Sequence, residues 1–210
     1  MNVSDQFKPL RIHLTGFTAG QAARLPVWND SACWEDSATE EFSGFEYSVI
    51  REAVEPGSNC VFLLSTPLIG EGKKTVRIIT QEVDEEAALD TIAHALVLPA
   101  IRPGLIGVDY QDFVSALKSG NDGMLYHWTG LAEDGDLENL LKQSIAITIE
   151  SHRIPAICIN LSLPVNESTF EHLDSYLGRL DALLPEDCLQ VISAVSSDDD
   201  HRHVSLLLIR

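Results

Sequence analysis

The organisation of this chain depends on its middle segment, Arg102-Pro103-Gly104-Leu105-Ile106-Gly107-Val108-Asp109-Tyr110-Gln111-Asp112-Phe113. Pro103 ends the helix predicted before it, because proline lacks the N–H that a continuing helix needs. Asp109 is a natural N-cap, and Asp112 then falls at the third helical position, beside the positive end of the next helix. The segment therefore predicts a connection between two helices, the second one over residues 110–118.

Working back towards the N-terminus, the pattern predicts a helix over Asp84–Leu98 and strands over Leu10–Phe17, Cys60–Thr66 and Lys74–Gln81. The linker between the last two strands is too short for a parallel crossover, so they form a hairpin or lie on separate edges. The acidic stretch 27–56 predicts an ordered loop with a short strand or helix near Glu46, or alternatively a docking segment for a basic partner.

Towards the C-terminus, amphipathic periodicity predicts helices over Leu137–Glu150 and Thr169–Leu184. Apolar runs predict strands over Ala156–Leu161, Cys188–Val195 and Val204–Ile209, the last two joined by an acidic turn. This order is typical of an α+β unit with its helices packed on a sheet.

The overall composition restricts the function classes. The 210 residues carry 32 acidic and 14 basic side chains, a formal charge of −18. Such a charge argues against nucleic-acid binding and against an anionic membrane surface, since both need a basic face. The first residues lack a hydrophobic signal core, and the four cysteines form no CxxC pair. We therefore predict a reduced, cytoplasmic protein.

No residue pattern commits the chain to catalysis. There is no GxSxG-type nucleophile signature, so we predict no catalytic residue, no metal and no cofactor. The run Asp198-Asp199-Asp200-His201-Arg202-His203 is interpreted as a solvated hairpin tip rather than a metal site. His13 and His94 lie on apolar elements and are interpreted as core or boundary histidines.

The middle segment resembles the loop after the central helix of FtsZ, the bacterial tubulin homologue, where the pattern is roughly Arg-Pro-Gly-Leu-Ile-Asn-Val-Asp-Phe-x-Asp. The resemblance continues in register from about residue 89 to residue 210. It implies an α/β protein with three parts: a truncated nucleotide-domain-like part at 1–83, a central helix at 84–102, and an FtsZ-like C-terminal α+β domain at 103–210, with a mixed sheet and helices.

The GTPase half departs from that family. FtsZ cradles phosphates in glycine-rich loops, whose backbone N–H groups approach the oxygens closely. Here the corresponding loops are Thr15–Ala22, with two glycines, and Thr66–Gly72, where Glu71 would repel a phosphate. We therefore predict a non-enzymatic interaction protein that caps or regulates filaments in cell division or the cytoskeleton. The alternatives are a divergent, self-assembling GTP-binding protein and a small-molecule enzyme or sensor with a chorismate-mutase-like domain.

The resemblance also suggests an interface. Asp109 and Asp112 match the two family acids that reach the neighbouring subunit's nucleotide, although Gly107 stands where the family has Asn. The predicted interface residues are Gly104, Leu105, Asp109 and Asp112, and the partner is an FtsZ-type filament or a second copy of the chain. The competing interpretation is that the two aspartates only cap a helix.

Overall fold

The computed structural model describes residues 9–18, 20–25, 31–36, 45–68, 72–102, 104–130, 139, 142–144, 154–164, 174, 177–178, 184, 186–197 and 201–210. None of the helices in these ranges combines the length and the apolar composition that a bilayer span requires.

The described strands form one mixed sheet. They are β1 Leu10–Thr15, β2 Ala32–Glu35, β3 Glu46–Arg51, β4 Val61–Leu68, β5 Gly72–Thr80, β6 Gly104–Ile106, β7 Asp122–Thr129, β8 Ala156–Pro164, β9 Leu189–Ser197 and β10 His203–Ile209. Their order across the sheet is β2-β1-β3-β4-β5-β7-β10-β8-β9-β6. With the helices described below, this confirms the predicted α/β class with a mixed sheet.

Parallel and antiparallel pairs alternate irregularly across the sheet. β1 is parallel to both β2 and β3, whereas β4 is antiparallel to β3 and β5. β5 is parallel to β7, β10 is antiparallel to β7 and β8, and β9 is parallel to β8 and antiparallel to β6. β4 and β5 are antiparallel neighbours, which confirms the hairpin, one of the two arrangements predicted for these strands.

A helix follows β5 and contains a wide turn. It consists of α1 Glu85–Ile92, a π-helical turn Ala93–Val97 and α2 Leu98–Ile101. The side chain of Asp84 caps it by accepting hydrogen bonds from two backbone N–H groups of the first turn. Pro99 lies directly after the wide turn, as expected for a residue that cannot donate to the regular helical ladder. The predicted helix is thus confirmed and extends to Ile101.

The core lies on both faces of the C-terminal strands. All residues of β8 and β10 are buried. Successive residues of β10 alternate between two apolar clusters: Leu207 packs in the cluster that contains the helix residues, whereas Leu206 and Leu208 pack in the opposite one. A strand that is covered on both faces explains the continuous apolar run over 204–209. The next helix, α3 Tyr110–Lys118, packs through Phe113 and Leu117 in the same cluster as Leu207.

The predicted pairing of the last two strands is wrong. β9 and β10 are not neighbours, because β8 lies between them and pairs with both. β8 is buried along its whole length, as expected for an interior strand that pairs along both of its edges. The predicted acidic turn at 198–200 lies outside the described residues.

Three strands were not predicted. β2 and β6 are short, and β6 lies within the middle segment that was expected to be a connection. β7 pairs with β5 and β10 and therefore joins strands that precede the helix over 85–101 to strands that follow it. The predicted boundaries 1–83, 84–102 and 103–210 remain a prediction. The helices predicted over 137–150 and 169–184 lie mostly outside the described residues.

Candidate functional site

The start of the middle segment is an edge strand of the sheet. In β6, Gly104 lies opposite Val195 of β9, and Ile106 lies opposite Ala194. A Cβ atom on Gly104 would collide with the carbonyl oxygen of Ala194, so only glycine allows the two backbones to approach this closely. Gly104 is exposed, whereas Leu105 is half-buried and packs against the second apolar cluster. The glycine of the family-like motif therefore has a packing reason in this chain.

Asp109 and Asp112 form a reciprocal capping box at the start of α3. Oδ1 of Asp109 accepts from the backbone N–H of Asp112 at 3.0 Å, and Oδ2 of Asp112 accepts from the backbone N–H of Asp109 at 2.9 Å. Both residues are exposed. Each aspartate uses one of its two carboxylate oxygens in the capping box, and the other oxygen is not part of it. The capping interpretation thus has a direct structural basis, and a contact with a partner stays a prediction.

The loop after β1 uses its backbone N–H groups within the chain. The N–H of Thr18 donates to the Glu85 carboxylate, and the N–H of Gly20 donates to Oδ2 of Asp36 at 2.9 Å. Glu85 also accepts from Arg51 Nη1 at 2.6 Å. Gly16 takes a positive φ of 81°, which brings its backbone close to the carbonyl oxygen of Arg51. Carboxylates of the protein therefore occupy donors of the kind that a phosphate-binding loop presents.

The second candidate loop is largely a strand ladder. Thr66, Pro67 and Leu68 of β4 lie opposite Lys74, Lys73 and Gly72 of β5. The Thr66 hydroxyl is hydrogen-bonded to the hydroxyl of Tyr110 at the start of α3. The Tyr110 hydroxyl also donates to the carbonyl oxygen of Glu46 at 2.8 Å. This segment joins α3 to the sheet, and residues 69–71 lie outside the described part.

Three histidines meet where the helix over 85–101 crosses β7 and β10. Each of these three residues, His94, His127 and His203, has one ring nitrogen that lies within 4.8 Å of a ring nitrogen on each of the other two. The ring centroids of His94 and His203 are 4.6 Å apart with the rings stacked, and those of His94 and His127 are 4.9 Å apart. We call these three residues the histidine cluster.

Hydroxyl groups orient two of the three rings. Nδ1 of His127 is hydrogen-bonded to the Ser205 hydroxyl at 2.9 Å. The Thr129 hydroxyl lies between the other nitrogen of His127, at 3.3 Å, and Nδ1 of His203, at 3.2 Å. The carboxylate of Asp90, one turn before His94, lies 3.8 Å from Nε2 of that residue. The cluster thus combines three imidazoles with an acidic neighbour.

The electrostatic setting keeps the His127 ring neutral. Burial, followed by charge repulsion from the neighbouring His94 and His203 rings, lowers the pKa of His127 to about 3. A neutral imidazole keeps a lone pair on one ring nitrogen, which is the form that binds metals. Together the three rings form a group of nitrogen donors.

No local pattern in the sequence signals this cluster. His94 was interpreted as a core or boundary residue and His127 was not singled out. The interpretation of His203 as part of a solvated hairpin tip is wrong, because this residue is 8% exposed at the start of the interior strand β10. Residues 94, 127 and 203 are far apart in the chain, and only the β7–β10 register and the crossing helix bring them together.

Comparison with known proteins gave matches in structure alone. No family model and no curated protein matches the sequence. A mutant FtsZ of M. jannaschii aligns at 16% identity and a TM-score of 0.46, covering 60% of this chain and 39% of that protein. TubZ of Bacillus thuringiensis serovar israelensis, solved as a protofilament, aligns at 14% identity and a TM-score of 0.48, covering 59% and 33%. CetZ from Methanosaeta thermophila aligns at 14% and 0.41, covering 58% and 37%.

Each of these is a partial likeness in fold. The alignments each cover about 60% of this chain. This chain spans only 33–39% of the length of the proteins just named.

Proposed function

We propose that this protein is a nucleotide-independent interaction protein that docks on an FtsZ-type filament or on a second copy of itself. The observation that carries the proposal is the loop after β1, where Glu85 and Asp36 accept from the backbone N–H groups of Thr18 and Gly20. A nucleotide phosphate entering this loop would have to displace two carboxylates of the protein.

Charge adds to this obstacle. A phosphate and the two carboxylates have the same sign and repel each other, more strongly at Glu85, which is 13% exposed, than at Asp36, which is exposed. Arg51, the cation beside the loop, is engaged by Glu85 at 2.6 Å. Backbone N–H groups that already have acceptors gain little from exchanging them for phosphate oxygens. These observations favour an interaction role over the alternative of a divergent GTP-binding protein.

The docking surface that we propose is the exposed edge formed by β6 and the start of α3. Gly104, Asp109 and Asp112 are exposed there, and both aspartates use one carboxylate oxygen for the capping box. The remaining carboxylate oxygens would meet N–H donors or basic side chains on the partner. Because the chain carries a charge of −18, the contact must be specific to overcome repulsion from an acidic partner.

Calorimetry with GTP tests the nucleotide-independent part of the proposal. The protein is titrated with GTP in the presence of Mg²⁺, with FtsZ in the same buffer as a positive control. We expect heats of dilution only and no phosphate release above buffer. Micromolar binding or turnover would refute this part and favour the divergent GTP-binding alternative.

Co-sedimentation with FtsZ polymerised by GTP tests the docking surface. We expect the wild-type protein to pellet with filaments or to shorten them. We expect the Asp109→Asn, Asp112→Asn pair to fold normally and to lose this effect, since asparagine caps a helix nearly as well as aspartate. The variant Glu86→Gln, on a different helix, serves as the control for loss of an exposed acidic side chain away from the proposed surface. A wild-type protein that neither pellets with filaments nor alters their length, and that stays monomeric, would refute the docking proposal.

A further inference from the structure

We propose that His94, His127 and His203 bind one divalent transition-metal ion, with Zn²⁺ as the representative of its class. The three side chains come from a helix and from two paired strands, and their ring nitrogens lie within 4.8 Å of one another. This inference does not depend on the proposed function, since the cluster lies on other residues than the loop after β1 and the edge at β6.

The sheet register explains why two of the ligands share one face. His127 of β7 lies opposite Ser205 of β10, and His203 lies opposite Thr129. His203 and Ser205 are two residues apart, so His127 and His203 are diagonal neighbours on the same face of the sheet. The Ser205 hydroxyl contacts the His127 ring, and the Thr129 hydroxyl contacts both rings.

The third ligand is held from the helix side by a chain of hydrogen bonds. His94 lies in the π-helical turn Ala93–Val97. The buried amide of Asn160 on β8 donates to the carbonyl oxygen of His94 at 2.7 Å, and the hydroxyl of Ser193 on β9 donates to the Asn160 side chain at 2.7 Å. A π turn inside an α-helix often marks a functional position. Here it is tied to the sheet at the residue that carries the ring.

The separation of the nitrogens suits a small tetrahedral ion after a modest adjustment. Zn–N bonds of about 2.0–2.1 Å in a tetrahedral site require nitrogens about 3.3 Å apart. The nitrogens of the cluster are at most 4.8 Å apart, so they must approach by no more than about 1.5 Å. Rotation of imidazole rings about χ2 meets a broad, shallow energy profile and supplies such a movement at small cost.

The donor set selects the class of ion. Neutral imidazoles suit Zn²⁺, Ni²⁺ and Cu²⁺, whereas Mg²⁺ and Ca²⁺ prefer oxygen ligands. The hydrogen bond from Nδ1 of His127 to Ser205 is the kind of outer contact that fixes a ligating histidine. A metal ion bound by Nε2 of that ring would replace the 3.3 Å contact of this nitrogen with the Thr129 hydroxyl. Three protein ligands leave a fourth position, and the Asp90 carboxylate lies 3.8 Å from His94. Water, Asp90 or a small ligand would complete the coordination.

Zn²⁺ and Co²⁺ titrations of the full chain, first freed of metal by a chelator, test the site. We expect one Zn²⁺ per chain by calorimetry, a raised melting temperature, and the visible absorption bands of tetrahedral Co²⁺. We expect His127→Ala to lower the affinity by about 100-fold or more, because the loss of outer-shell partners alone costs 10–100-fold. His201→Ala removes an exposed histidine two residues from His203 and is the matched control, with unchanged affinity and unchanged Co²⁺ bands.

Histidine-selective NMR of the wild-type protein keeps the proposal falsifiable if a variant fails to fold. The chain has seven histidines, and Zn²⁺ should shift the ring signals of three of them and leave the other four unchanged. Equal Zn²⁺ affinity in the wild type and His127→Ala, loss of binding in His201→Ala, or absence of binding to the wild type would each overturn the proposal.

Discussion

The two halves of the sheet are stabilised by different interactions. From β1 to β5, ion pairs are frequent among the described residues. They join Arg11 to Glu35, Arg77 to Glu52, and Arg51 to Glu85 at the start of α1. The His13 ring also lies 3.3 Å from the Glu35 carboxylate and 3.7 Å from that of Glu46. In the strands β8 and β10 every residue is buried, and most of them are apolar. The first half has these charge pairs in addition to its buried apolar residues, so it should respond to salt at the pairs, whereas β8 and β10 should respond mainly to lost volume.

The largest expected effect is a cavity in the apolar half. Leu208 of β10 is completely buried, and Leu208→Ala should lower the free energy of unfolding by about 2–5 kcal/mol. Leu189→Ala, at a position that is 43% exposed, is the matched control and should change it much less. Chemical denaturation measures both. Equal effects of the two substitutions would contradict the described packing of β10.

The histidine cluster should make the metal-free protein acid-sensitive. His127 in the unfolded chain takes up a proton below its ordinary pKa of 6.5, whereas in the folded protein it stays neutral down to about 3. The stability that the neutral ring contributes is therefore complete above pH 6.5 and is lost as the pH falls towards 3. The loss in the free energy of unfolding amounts to about 2 kcal/mol at pH 5. The groups that face the ring are His94, His203 and, beyond His94, Asp90.

Unfolding measured between pH 7.5 and 5 in the presence of a chelator checks this prediction. His127→Asn should flatten the dependence relative to the wild type, while His201→Ala should leave it unchanged. A wild-type protein whose stability does not fall over this range would contradict the burial of a neutral ring.

A smaller effect is expected at the boundary of the charged half. Glu85 is 13% exposed and accepts from both Arg51 and the Thr18 N–H. Glu85→Gln should cost about 1–3 kcal/mol, because it leaves a partly buried guanidinium without its countercharge. Glu86→Gln, in the same helical turn, removes the same charge near the helix N-terminus and should cost only a few tenths of a kcal/mol. Thermal unfolding of the two variants compares them, and the reverse order would contradict the role given to Glu85.

The smallest effect is expected for an exposed ion pair. Arg11 is 45% exposed and contacts Glu35 at 2.7 Å. Arg11→Met should lower the free energy of unfolding only slightly, and the difference should shrink at high salt. Unfolding of the wild type and the variant at low and at high ionic strength measures it. A large, salt-independent loss would show that the methylene stem of Arg11, rather than its charge, matters in β1.

The apolar half was the easier half to predict from the sequence. Apolar runs at 156–161 and 204–209 are covered on both faces, so their hydropathy alone reveals them. Their neighbours were not evident, because pairing depends on long-range packing. The predicted hairpin of β9 and β10 failed for this reason. β7 was not predicted, because it begins with Asp122 and Gly123 and polar residues are interspersed with its aromatic ones.

The candidate sites show the same division. The capping box of Asp109 and Asp112 was predictable, since all of its information lies within four residues. The histidine cluster depends on contacts between positions 94, 127 and 203, and no local spacing signals them. The carboxylates at the loop after β1 come from residues 36 and 85, and only the fold shows that they reach Thr18 and Gly20.

The pairing of β5 with β7 has a consequence for how the chain unfolds. Arg77 to Thr80 lie beside Asp122 to Leu125, so the first half of the chain and the second share backbone hydrogen bonds in the interior of one sheet. Neither half can separate without exposing a strand edge of the other. We therefore expect heat and denaturant to give a single cooperative transition, and we expect refolding to be slow because these contacts are distant in sequence.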